Sequence, residues 1–176
     1  MSKKWIGLMI VVLLLTGTMS FTGCGSTEEK VTKEYNVTLY FANDEYVQTG
    51  DESLEQMVVV KDNKMESEEG NQYMALVDNA LRTVPEGVEG ADTLINDKIV
   101  FTGVSVEEGI ATVDLAGETL NGGSLEESYV ISQIVESLIA SFEEIDSVQF
   151  LVDGEKAESL MGHFDVSEPL TKGVTN

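Results

Sequence analysis

Few residues of this 176-residue chain have the types that chemistry needs. There is one cysteine, Cys24, and one histidine, His163. A single histidine cannot build a histidine-based metal site. His163 lies in Leu160–Asp165 (LMGHFD), between apolar neighbours, and reads first as a structural or surface histidine. A Ser–His–Asp arrangement around it would need a presented nucleophile. The nearest approach to a G-x-S-x-G elbow is Gly103-Val104-Ser105-Val106-Glu107, which lacks the second glycine. Asp114 and Asp153 each end an apolar run, and two carboxylates flanking a cleft are what glycoside hydrolysis requires. Strand ends are also where a solvated aspartate is ordinary, and with 32 acidic residues such pairs arise from composition alone. Asp62–Gly70 (DNKMESEEG) has acids near a glycine but not the spacing of a calcium loop. No phosphate-binding glycine motif and no S-x-x-K is present. The expectation is no catalytic residue, no metal and no cofactor.

Cys24 sits on a boundary. Lys3 and Lys4 precede an apolar run, Trp5–Leu15 (WIGLMIVVLLL), of the length that the hydrophobic region of a secretory signal takes. Smaller, more polar residues follow, then Phe21-Thr22-Gly23-Cys24. This stretch resembles a bacterial lipobox, with Phe21 standing where leucine is usual. The resemblance implies a signal peptide over 1–23, cleavage before Cys24, and acyl chains such as palmitate on the thiol. It also accounts for a lone thiol in an exported chain, which could form no internal disulfide. Several acyl chains, at about 0.8 kcal/mol per buried CH₂, would hold the protein on a bilayer. The alternative is an uncleaved anchor over Trp5–Gly23, near the minimum for a span, but its second half is rich in Thr, Ser and Gly. Either way the remainder faces away from the cytoplasm. Residues 24–34, including GSTEEKVTKE, read as a lipidated start and a flexible tether.

The formal charge is −22, from 32 acidic and 10 basic residues. Such a field repels nucleic-acid phosphates and anionic head groups, so a nucleic-acid partner is excluded. The acidity serves solubility first; calcium capture or docking on a basic partner are the sharper readings.

A single α+β domain is expected over 35–172, with 173–176 as a tail. Tyr35–Asn43 alternates Val37, Leu39 and Phe41 with polar residues, the pattern of a half-buried strand. Asn43–Glu52 reads as a loop. Met57–Lys61 (MVVVK) is a second strand, its continuous apolar run suggesting burial on both faces. Tyr73, Leu76, Val77, Ala80, Leu81 and Val84 form a helical stripe ended by Pro85. Lys98–Val106 and Ile110–Leu115 form a hairpin turned by Glu107-Glu108-Gly109. Ser124 and Glu127 have the spacing of a capping box, opening a helix whose stripe is Ile131, Ile134, Val135, Leu138, Ile139 and Phe142. Ser147–Val152 is the last strand, and the tail to Thr171 carries Leu160, Met161, Phe164 and Leu170, enough to pack back. The order β-β-α-β-β-α-β predicts a two-layer sandwich, two helices on one face of one mixed or antiparallel sheet.

Tyr40-Phe41, Gly109–Leu115 (GIATVDL), Gln133-Ile134-Val135, Val152-Asp153-Gly154 and Pro169-Leu170, in this order, resemble the GerMN domain of sporulation and germination lipoproteins. Departures fall at Ala116–Leu120 and at Ile95-Asn96-Asp97, and bear on loop shape. The resemblance implies a small α/β module similar to the ring-building modules of secretion channels, with no catalytic residues. It implies a membrane-anchored envelope protein that binds or assembles with an envelope protein or cell-wall partner. The alternatives are a cell-wall hydrolase or an accessory domain for one, and a lipoprotein binding a small solute or calcium.

Overall fold

A computed structural model of the chain describes residues 31–173. The expected signal peptide, Cys24 and residues 174–176 lie outside the described residues.

Two sheets share one core. The first has the order β2-β1-β3, all antiparallel, from β1 (Thr32–Asn43), β2 (Met57–Glu68) and β3 (Ala91–Asp92). The second has the order β4-β5-β6-β7, from β4 (Phe101–Glu107), β5 (Ile110–Leu115), β6 (Ser147–Val152) and β7 (Glu155–Lys156). β5 and β6 are parallel, which requires a crossover, and α3 (Ser124–Ser141) supplies it. The α+β class and the mixed pairing agree with the sequence. The single sheet does not: β1 pairs with β2 and β3, and the β4–β5 hairpin pairs onward to β6.

The alternation in β1 is realised, with Val37, Leu39 and Phe41 all buried. On α3, Ile131, Ile134, Val135 and Leu138 are fully buried, and α3 packs chiefly on β1 and also on β6, joining the sheets. Each such side chain contributes roughly 1.5–3 kcal/mol by leaving water. α2 (Gln72–Asp78) is shorter than its stripe predicts; the stripe continues as a 3₁₀ turn, Ala80–Arg82, that buries Leu81. Arg82 then clamps the connection after Pro85, donating to the carbonyls of Asn96 at 2.7 Å and Ile99 at 2.7 Å and to Asp78 Oδ1 at 2.6 Å.

Other boundaries moved for identifiable reasons. The expected loop after Asn43 holds α1 (Asp44–Thr49). Asn43 caps it, accepting from Glu45 N at 3.0 Å, and Gly50 ends it in the left-handed region at φ 64°. β1 begins at Thr32, so residues 32–34 of the expected tether belong to the sheet. They pair with the polar second half of β2, Thr32 with Glu68 and Glu34 with Glu66. Cross-strand ion pairs Lys33–Glu69 (2.6 Å) and Lys64–Glu34 (2.8 Å) line this exposed ribbon. Both tight hairpin turns use an X-Gly pair at positive φ: Glu108 (50°) with Gly109 (83°), and Asp153 (53°) with Gly154 (81°).

The capping box is a correction. Gly123, not Ser124, is the N-cap of α3, with no side-chain cap bond. Glu127 is fully buried and turns its carboxylate to another part of the chain. The C-terminal segment packs back as expected: Leu160 and Val166 are buried, and Leu170 exchanges two backbone hydrogen bonds with Val148, each 2.8 Å.

α3 also closes a sheet edge. Ser137 Oγ accepts from Tyr40 N at 2.9 Å. Ser141 Oγ accepts from Thr38 N at 3.0 Å and donates to Thr38 O at 3.1 Å. The edge of β1 beyond the short β3 is thereby satisfied by two hydroxyls in place of a strand.

Candidate functional site

His163 lies on the returning C-terminal segment, above the first turn of α3. Its Nδ1 faces Glu127 Oε2 at 3.0 Å, and its backbone N–H donates to the same oxygen at 2.8 Å. The other carboxylate oxygen accepts from Leu160 N at 2.9 Å and Met161 N at 2.8 Å. A buried carboxylate needs such partners, and here they come from one loop, which it pins to the helix. His163 is part-exposed and lines a shallow recess of about 400 Å³ with Ser159, Phe164 and Asp165. The acid–histidine pair of a nucleophilic triad is therefore assembled, with Glu127 as the acid. The third member is not: the Ser167 hydroxyl is bonded to Asp165 Oδ1 at 2.5 Å, and among the described residues no serine hydroxyl bonds His163. The hydrogen bonds from Ser167 hold the Asp165 carboxyl below its ordinary range. Ser105 lies inside β4, far from any strand-to-helix elbow.

Asp114 and Asp153 do come to one end of the parallel β5–β6 pair. Their carboxylates clamp backbone. Asp114 Oδ1 accepts from Gly154 N at 3.0 Å, and Asp153 Oδ1 accepts from Gly117 N at 3.0 Å. The two turns after the strands are locked reciprocally, and Gly117 approaches so closely that a Cβ there would lie 2.6 Å from Asp153 Oδ2. This accounts for both aspartates without a reaction. The acids of Asp62–Gly70 are distributed along β2 and its following turn, and no cluster of three or more metal-ligating side chains occurs among the described residues.

A third region was not foreseen. Tyr40 of β1, Leu54 of the preceding loop, and Met57 and Val59 of β2 line a groove of about 450 Å³, rimmed by Glu52, Glu55 and Glu136. Val59 is 41% exposed, so the apolar run of β2 is not buried on both faces. Burial, and then the negative charge of Glu136, push the Tyr40 phenol above its ordinary pKa. Four separate segments build this groove, the last at Gly173, whose N–H donates to Glu136 Oε1 at 2.6 Å, so no local motif marks it.

A family model described as Germane, sporulation and spore germination, matches residues 38–158, more than half of the chain. The chain belongs to the Germane family. The match begins at residue 38, within β1, takes in the other strands of both sheets and α3, and stops at residue 158, just before the backbone that bonds Glu127. The first GerMN domain of the sporulation protein GerM from Bacillus subtilis is similar in fold, with a TM-score of 0.58 at 15% identity, covering 78% of this chain and 97% of that one. The tandem GerMN domains of the same protein give a TM-score of 0.59 at 14% identity, covering 80% of this chain and 47% of that one. This Germane chain thus corresponds to about half of the tandem. A candidate lipoprotein from Clostridium perfringens is similar with a TM-score of 0.50 at 18% identity, covering 79% and 88%. No curated protein matches. No helix among the described residues is long and apolar enough to cross a membrane.

Proposed function

We propose that this Germane chain is a non-enzymatic lipoprotein of sporulation or germination. It is held at the extracytoplasmic face of the membrane through lipid on Cys24, and its GerMN-type domain binds an envelope protein or a cell-wall partner. The family match over residues 38–158 carries this reading. Two further observations support it. The side chains that could do chemistry, Asp114, Asp153 and Glu127, are spent on holding backbone turns and the C-terminal segment. A relative in fold is described as a candidate lipoprotein, the same class that the lipobox-like Phe21–Cys24 suggests for this chain.

The anchor is tested by mass spectrometry of the membrane-extracted protein. A mature chain beginning at an acylated Cys24 is expected; an intact segment 1–23 refutes cleavage coupled to lipidation. Cys24→Ser should abolish palmitate incorporation. The binding role is tested by crosslinking in intact envelopes: a specific adduct is expected, and its absence sinks the role.

A further inference from the structure

Among the described residues, the first sheet has one edge that nothing covers. β2 is its outermost strand, and among the described residues no backbone or side-chain group bonds the outer edge of Met57–Val60. The register shows which groups are left. Tyr40 turns its N–H away from β2, to Ser137, so the facing pair Tyr40–Val59 is not hydrogen-bonded across the ladder. The N–H and C=O of Val59, and of Met57 two residues away, therefore point outward. The side chains of the same two residues line the groove at Tyr40. Backbone bonding capacity and an exposed apolar surface thus converge on one short stretch.

The free stretch is bounded. Between Val60 and Asn63 the register slips by one residue, with Asp62 at φ 54°. This bulge bends the strand and breaks the edge beyond it. An added strand would find about four residues of straight template.

We propose that Met57–Val60 is a docking edge for an extended, basic segment of a partner protein, which adds a strand to β2 and places Lys or Arg side chains over the groove. Charge selects this occupant. The groove is rimmed by Glu52, Glu55 and Glu136, and among the described residues none of the three pairs with a cation. A second copy of this chain would bring the same rim and a further formal charge of −22 against it. A basic strand gains main-chain bonds at Val59 and charge neutralisation at the rim, with alternate side chains entering the groove. This inference rests on the binding role proposed above and names its surface and its chemistry.

The test uses the full chain in detergent and three synthetic hexapeptides: alternating Lys-Val, alternating Glu-Val, and alternating Lys-Val with N-methylated backbone. Binding by the first alone, with slowed amide exchange at Met57 and Val59, is the expected result. Val59→Pro removes one outward N–H without touching a ladder bond and should weaken binding about tenfold, the value of one good hydrogen bond. Glu52→Lys/Glu55→Lys leaves the strand intact and should weaken it about tenfold or more, with the loss shrinking as salt rises. Equal binding of the N-methylated peptide, or no protection at Val59, overturns the proposal in favour of diffuse charge attraction. The envelope crosslink separates the two readings. An adduct that persists in Val59→Pro keeps the binding role and rejects this edge; no adduct in the unaltered protein rejects the role itself.

Discussion

The first sheet has two edges, and they are treated in opposite ways. On the β1 side, α3 lies along the strand and two serine hydroxyls stand in for a missing neighbour. On the β2 side, the outer edge of Met57–Val60 has no neighbour among the described residues, and Val59 within it is exposed. The difference shows what inward-facing polar residues of a helix are for. Ser137 and Glu127 are fully buried on α3 and Ser141 is part-buried, and each satisfies backbone that does not belong to the helix. An edge inside the core must be closed in this way, because an unpaired buried N–H costs about 1–3 kcal/mol. An edge facing water has no such requirement, because water can satisfy its outward N–H and C=O groups.

Breaking the closed side should have the largest effects. Glu127→Ala removes the acceptor of three backbone N–H groups and the partner of His163, and should destabilise the domain by about 3 kcal/mol. Urea unfolding would measure it, and amide exchange should show Leu160, Met161 and His163 losing protection first. Ser137→Ala with Ser141→Ala should cost about 2 kcal/mol or more, since Tyr40 N and Thr38 N lose their acceptors. A near-neutral double variant would mean that the edge is not closed as described. On the open side, Val59→Pro should change stability by only about 1 kcal/mol or less, because proline is tolerated where the N–H faces out. A loss comparable to that of the serine pair would erase the contrast between the edges.

Acid should give the smallest effect. Hydrogen bonds from Ser53 and Ser167 depress the carboxyls of Asp51 and Asp165 below their unfolded values. The stabilisation from these bonds is present above the unfolded pKa, about 3.9, and is lost as pH falls through the lower folded values. Both loops are exposed, so Asp51→Ala and Asp165→Ala should leave thermal midpoints at pH 7 nearly unchanged. An early, steep acid transition removed by either substitution would contradict this.

Much of the fold was legible because it is written in local periodicity. The alternation of Val37, Leu39 and Phe41, the stripe from Ile131 to Leu138, and the X-Gly turn at Gly109 each follow from neighbours a few residues apart. The polar half of β2 was not legible: Asp62–Glu68 has no apolar alternation strong enough to show, and it is a strand because 32–37 pairs with it. The Ser124–Glu127 spacing misled for a related reason. A glutamate three residues into a helix suits a capping box, but Leu160, Met161 and His163 offered it three donors in a buried position.

The sequence by itself determined the class, the lipobox-like Cys24, the acidity and the apolar faces, since these depend on composition and short-range spacing. Only the tertiary structure decided that the sheet divides in two, that Glu127 rather than an aspartate partners His163, and which strand edge stays open. Those outcomes rest on contacts between residues tens of positions apart, where a buried donor or acceptor takes whatever partner the packing brings to it.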